Sequence, residues 1–371
     1  MSGEIVVRCR APINMAVLKY WGKSDEDAVI PLHDSLSATL HVDCMASSII
    51  VTASDRFASH RMTLNGKEVD IESNSRLQAV LRECRSIAGV CPEQIGGDWS
   101  RVQLHLECRN DFPTAAGLAS SASGYACLTA ALCKLYECRE QYPGQISAIA
   151  RQGSGSACRS MHGGFVQWAR RTPSVAVPVV PESYWPELRV LILVVSDAAK
   201  AVGSTVGMRR STSTSALLRH RAEVVVPERM EAFRRAIGLR DFESFAVLTM
   251  RDSNQFHAVC ADTYPPIFYL NSTSHAIIDA VHRFNDGAVR AAYTFDAGPN
   301  ACIFARDRDL GELAAFLLER FRPIEAAVDE WVRDPLRLLP QLRPTANDVF
   351  VSGSRVQQMI VTKVGPGPIV S

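Results

Sequence analysis

The stretch PTAAGLASSASGYACLTAALCKLY, residues 113–136, limits the folds open to this chain more than any other. A loop of small residues runs straight into an Ala/Leu-rich segment at 118–136 that has no broad polar face. Such a segment reads as a helix buried on most sides, which requires layers of structure around it. The helix is expected to begin near Ser120 or Ser121. A helix start presents unpaired N–H groups and the positive end of the dipole, so it is a natural anion site. Gly117 and the neighbouring alanines would let backbone approach phosphate oxygens, and Ser120 and Ser121 can cap the helix or offer a hydroxyl to phosphate or magnesium. The same residues would also make an ordinary Ser-capped core helix after a glycine turn. The run is neither a Walker A loop nor a G-x-G-x-x-G fingerprint.

The rest of the pattern is mixed. Residues 4–8, 35–42, 48–53 and 102–107 are strand-like, and Asn65-Gly66 between 62–64 and 69–71 is a strong hairpin signal. Residues 75–88 carry Leu77, Val80, Leu81 and Ile87 at helical spacing. After a proline-rich segment at 172–187 come a strand at 188–195, helices at 226–237, 241–252, 274–285 and 309–318, and strands at 289–294 and 301–304. This segregation reads as α+β, not as a doubly wound parallel sheet. A chain of 371 residues is long enough for two lobes meeting at a cleft. The expected division is an N-terminal domain at 1–187 and a C-terminal domain at 188–371, with the late strand 356–364 a candidate to return to the first.

Forty basic and thirty-nine acidic residues leave a net charge of +1, which gives no reason to expect a nucleic-acid or membrane-surface partner. An anion must therefore be met by a local site. The eleven cysteines lack C-x-x-C spacing and the nine histidines form no H-x-x-x-H or H-E-x-x-H pair, so a protein-ligated metal is not expected. Reduced, structural thiols, an N-terminus without an apolar signal core and no run long enough to span a bilayer point to a cytoplasmic protein.

Three further segments bear chemistry. GSGSACRS, 153–160, is donor-rich and low in bulk, and Arg159 offers a planar fork suited to carboxylate or phosphate; it also reads as a flexible turn beside a solvated arginine. In APINMAVLKYWGK, 11–23, Lys19 and Lys23 flank Tyr20 and Trp21, a grouping that would clamp a diphosphate or simply end a strand. In TFDAGPNA, 294–301, Asp296 lies where an apolar strand meets a turn. It would bond its own backbone there, or stand at a cleft to take a proton or orient a hydroxyl. Three segments suited to anions and one supplying a carboxylate point together to phosphoryl transfer to a small anionic alcohol.

Read together, the segments resemble the mevalonate diphosphate decarboxylases. The resemblance is carried by LKYWGK at 18–23 after APIN, NDFPTAAGLASSASG at 110–124, GSGSACRS at 153–160, DSNQFHAVCADTYPPIFYLN at 252–271 and AYTFDAGPNA at 292–301. It covers essentially the whole chain and implies two α+β lobes of GHMP-kinase type with a deep cleft. It further implies that Asp296 orients or deprotonates the substrate's 3-hydroxyl, that Arg159 pairs with the substrate carboxylate, and that Asn14 holds the guanidinium. Ser154 and Ser156 would bond substrate oxygens, Tyr20 and Lys23 would hold the 5-diphosphate, and Lys19 would sit near the transferring phosphoryl group. Gly117, Leu118, Ala119, Ser120 and Ser121 would cradle the ATP phosphates, with Ser121 on magnesium and Ser204 nearby. The family usually has Lys-Asp-Val-Ser-Ser where this chain has KAVGSTVGM, a departure that bears on Ser204. The implied reaction converts mevalonate 5-diphosphate and ATP to isopentenyl diphosphate, ADP, phosphate and carbon dioxide, in a homodimer. The rival readings are a GHMP kinase that stops after phosphorylation and a nucleotide-binding paralogue without catalysis.

Overall fold

The computed structural model describes residues 3–112, 120–196, 198, 200–323, 325–340 and 356–371. Gly117, Leu118 and Ala119 of the expected phosphate loop lie outside the described residues.

Among the described residues three large sheets organise the chain, beside a two-stranded pairing of Lys23–Asp25 with Ile30–Pro31. In the first, the strands run in the order Ile369–Val370, Ile5–Pro12, Ala46–Ser54, Gln103–Asn110, Arg61–Leu64 and Lys67–Glu68. The hairpin at Asn65-Gly66 forms because both residues take positive φ, 51° and 78°, as a tight two-residue turn requires. Helix Ser120–Leu135 lies on this sheet, against strands Ile5–Pro12 and Ala46–Ser54. It buries Ala122, Ala126, Cys127, Leu128, Ala131, Leu132 and Leu135, together with Ser123 and Thr129. Small residues on several faces let sheet and neighbouring helices approach at once.

The second sheet, Ala176–Val180, Phe165–Trp168, Ser35–Thr39 and Asn14–Leu18, has Asn14–Leu18 at its edge. The third runs Ala291–Phe295, Ala301–Arg306, Leu188–Val194, Gln358–Lys363 and Val332–Arg333, with Ala291–Phe295 at its edge. Strand Gln358–Lys363 thus pairs with Leu188–Val194, and the segment beyond it, Ile369–Val370, pairs with the first strand. One apolar core joins the second and third sheets. Met15, Val17, Leu36 and Phe165 pack in the same cluster as Leu191, Phe233, Phe245, Ile303 and Met359. The α+β reading therefore holds, and the halves share a packed interior.

Two of the elements that differ from the sequence pattern bear on the site. The helix expected at 241–252 runs over Phe242–Asp262. Asp241 caps its start by accepting the Ser244 N–H, and it stops just before Pro265-Pro266. The polar run DSNQ does not interrupt it, because those side chains find partners inside the protein. Helix Ser204–Thr214 escaped periodicity because its buried residues, Gly207, Met208 and Ser211, are mostly small or polar.

Candidate active site

A cleft of about 410 Å³ opens where the edge strands of the second and third sheets meet. Its lining includes Asn14, Lys19, Tyr20, Lys23, Ser120, Ser121, Ser154, Ser156, Arg159, Ser204 and Asp296. Five segments remote in sequence therefore converge on one cavity, and every predicted site residue that is described lies in its wall.

Asp296 stands immediately after strand Ala291–Phe295, and Lys19 immediately after strand Asn14–Leu18. Lys19 Nζ donates to Asp296 Oδ1 at 2.5 Å. The lysine is buried, whereas the aspartate side chain keeps 24% of its exposure and faces the cavity. A carboxylate so held cannot rotate freely, yet one oxygen stays available to a ligand.

Arg159 projects from the short helical turn Ala157–Ser160 and is only 2% exposed. Its Nε donates to Asn14 Oδ1 at 3.2 Å and Ser37 Oγ at 2.9 Å, and its Nη1 donates to Ser35 Oγ at 2.6 Å. Asn14 is itself oriented, its Nδ2 donating to Ser160 Oγ at 2.7 Å and to the Ser156 carbonyl at 3.1 Å. Among the described residues no carboxylate lies within ion-pair distance of Arg159. Burial pulls its pKa below the usual value, offset in part by Cys158, Asp296 and Tyr20. A buried cation fixed by neutral groups alone is costly, and an arriving anion would offset that cost.

Tyr20 repeats the theme. Its ring lies 4.6 Å from that of Trp168, and its buried hydroxyl has no hydrogen-bond partner among the described residues. Burial raises its pKa, so it remains a donor at neutral pH. Such an orphaned donor in a cavity wall is suited to a ligand oxygen. Gly155 makes room for it, since a Cβ there would fall 2.9 Å from Tyr20 Oη. Lys23 is buried and paired with Glu26 at 2.8 Å, so its charge is already partly neutralised.

On the other wall, Ser121 Oγ and Ser154 Oγ lie 3.1 Å apart, linking the start of helix Ser120–Leu135 to the Gly-Ser loop. Ser204 opens helix Ser204–Thr214 and accepts from Lys200 Nζ at 3.0 Å. Lys200, which the sequence analysis did not single out, also donates to the Ala297 carbonyl at 3.3 Å and lines the cleft. Burial lowers its pKa and Asp296 opposes that shift. Arg76, likewise not anticipated, reaches Thr205 Oγ1 at 3.1 Å. Arg76 carried no sequence signal, and Lys200, the first residue of KAVGSTVGM, was passed over because it is one lysine among small residues. Among the described residues no cluster of His, Cys, Asp or Glu would hold a metal ion by itself.

The three basic groups Lys19, Lys200 and Arg159 around one carboxylate, between two α+β lobes, define a protein that handles small, multiply charged anions. Residues 11–176 match the diphosphomevalonate decarboxylase-like N-terminal domain, and residues 190–371 match the mevalonate 5-diphosphate decarboxylase C-terminal domain. The chain is 49% identical over 377 residues to the diphosphomevalonate decarboxylase of Homo sapiens, covering 98% of this chain and 92% of the relative. The mevalonate diphosphate decarboxylase of Trypanosoma brucei superposes with a TM-score of 0.87 at 36% identity, over 99% of this chain and 98% of the other. A structure of MDDEF in complex with MVAPP, AMPPCP and magnesium superposes with a TM-score of 0.77 at 27% identity, over 100% and 99% of the two chains. The chain belongs to the diphosphomevalonate decarboxylase family.

Proposed function

We propose that the protein catalyses the ATP-dependent decarboxylation of mevalonate 5-diphosphate to isopentenyl diphosphate, ADP, phosphate and carbon dioxide. The observation that carries this reading is the pairing of Asp296 with Lys19 in a cleft that also holds the buried Arg159, which has no carboxylate partner among the described residues. Phosphoryl transfer needs a hydroxyl oriented for attack and cations for the charge that moves, and Asp296, Lys19 and Lys200 supply both. Decarboxylation needs the substrate carboxylate held beside the carbon that loses phosphate, and Arg159, oriented by Asn14, Ser35 and Ser37, suits that task.

In this reading Asp296 takes the proton of the 3-hydroxyl as its oxygen attacks the γ-phosphorus of ATP. The new phosphate ester then leaves with its bonding electrons, and the carbon–carbon bond to the carboxylate supplies the pair that forms the alkene. Tyr20 and Lys23 hold the 5-diphosphate, and Ser154 and Ser156 bond substrate oxygens. Gly117, Leu118, Ala119, Ser120, Ser121 and Ser204 receive the ATP phosphates. Magnesium would ride on those phosphates with Ser121 as its contact, neutralising their charge. A division into domains at 1–187 and 188–371 fits the start of the third sheet at Leu188. Eleven free cysteines suit a reducing, cytoplasmic setting, and a homodimer is the assembly that the family likeness implies.

The test is a coupled assay of purified protein with ATP, magnesium and mevalonate 5-diphosphate, following carbon dioxide and ADP together. Equal release of both supports the decarboxylase. ADP without carbon dioxide makes the protein a kinase, and tight ATP binding with neither product makes it a non-catalytic relative.

A further inference from the structure

The run Asp252-Ser253-Asn254 stands in the middle of helix Phe242–Asp262, outside the cleft, and the chemistry above assigns it no task. Asp252 is completely buried with two arginines. Its Oδ1 accepts from Arg221 Nη1 and Arg229 Nη1, each at 2.7 Å, and its Oδ2 accepts from Arg221 Nη2 at 3.0 Å. Oδ2 also accepts the backbone N–H of Lys19 at 2.7 Å, while Arg221 Nη2 donates to the Lys19 carbonyl at 3.1 Å. Both peptide groups of Lys19 are thus gripped by one buried ion pair. Lys19 lies just past an edge strand, and this pair stands in for the sheet ladder there. The next residue, Ser253, accepts the backbone N–H of Phe295 at 3.0 Å. Phe295 ends the other edge strand and directly precedes Asp296.

Two consecutive residues of one rigid helix therefore hold the two chain segments from which Lys19 and Asp296 project. We propose that Asp252 and Ser253 are positioning residues that set the separation of Lys19 and Asp296, acting through the backbones of Lys19 and Phe295. This rests on the proposed function, in which that pair meets the reacting hydroxyl. Asn254 serves as an internal control. It accepts from Tyr293 Oη at 3.1 Å, touching the same strand two residues earlier without gripping either partner of the pair.

The experiment compares Ser253→Ala, Asp252→Asn and Asn254→Ala with the wild-type chain for kcat, both KM values and melting temperature. Ser253→Ala and Asp252→Asn are expected to lower kcat by roughly ten-fold or more, as a sub-ångström shift between reacting groups does. Their KM values should stay within about two-fold of wild type, because neither residue lines the cleft. Asn254→Ala is expected to lower the melting temperature while leaving kcat unchanged. Should Asp252→Asn not fold, Arg229→Met removes one partner of the same carboxylate from its more exposed side and should give a smaller loss confined to kcat. Wild-type kcat in Ser253→Ala, a loss carried by KM, or an equal kcat loss in Asn254→Ala overturns the proposal. A wild-type chain that releases no carbon dioxide overturns the functional reading instead, before any variant is compared.

Discussion

Asp296 meets an ammonium at 2.5 Å and keeps a quarter of its side chain open to the cleft, so its charge is held in place without being used up. Replacing it with asparagine preserves shape and packing but removes the proton acceptor. Asp296→Asn should fold and bind both substrates while losing about 10²–10⁴-fold in kcat, read by steady-state assay beside a binding titration. Normal turnover would remove the residue from its proposed role. Arg159 differs, because its fork is fixed by three side-chain oxygens at once. A lysine offers no planar fork and cannot keep those contacts while reaching an anion. Arg159→Lys should raise KM for mevalonate 5-diphosphate and lower kcat, each by roughly ten-fold, as expected for losing a charge-assisted hydrogen bond of about 1.5–3 kcal/mol. Unchanged kinetics would show that the guanidinium does not touch substrate.

At the scale of elements, the Gly-Ser loop between helix Gln145–Gly153 and the turn Ala157–Ser160 is shaped by what it must not contain. A Cβ at Gly155 would lie 2.9 Å from Tyr20 Oη and 3.0 Å from the Trp168 ring. Tyr20 would have to move, and with it the unpartnered hydroxyl proposed to hold the diphosphate. Gly155→Ala should therefore raise KM for mevalonate 5-diphosphate several-fold, about 1–3 kcal/mol being typical of overpacking, with little change in KM for ATP. Equal effects on both substrates would mean that the loop serves the whole cleft rather than the tyrosine. Helix Phe242–Asp262 shows the complementary logic. Its polar residues Asp252 and Ser253 are costly to bury in isolation, and their burial is tolerated because each finds a partner, Arg221 and the Lys19 N–H for the first and the Phe295 N–H for the second.

At the scale of the molecule, buried histidines couple stability to pH. Burial, reinforced by Arg221, lowers the pKa of His33 to about 4, and burial, reinforced by Lys19, lowers that of His257 to about 3. The unfolded chain titrates these groups near ~6.5, so between the two values it binds more protons than the native state. Stability from this source is complete above pH ~6.5 and is lost as pH falls toward 4 and 3. Each histidine contributes at most about 1.4 kcal/mol per pH unit. Urea unfolding at pH 7.5, 6 and 5 should show that decline, and His33→Gln should flatten it. A slope unaffected by the substitution would assign the acid sensitivity to other groups. Because one core joins the second and third sheets, the loss should appear as a shared transition of both halves.

By itself the sequence determined what local chemistry can encode. Asn65-Gly66 specified its hairpin through positive φ, and the Ala/Leu-rich run specified a helix buried on most sides. The long motifs around Lys19, Ser121, Arg159 and Asp296 also carried the family likeness. The tertiary structure alone decided which lone polar residues matter. Lys200 is one lysine among small residues until the chain brings it beside Ala297. Ser35 and Ser37 are ordinary strand residues until Arg159 reaches them across the sheet. Asp252 and Ser253 fall where the sequence pattern ends its helix, and only the meeting of two edge strands gives them Lys19 and Phe295 as partners. The division follows from range. Backbone preference and periodicity act over a few residues, whereas a hydrogen bond between positions 19 and 252 depends on the packing of two sheets that no local pattern records.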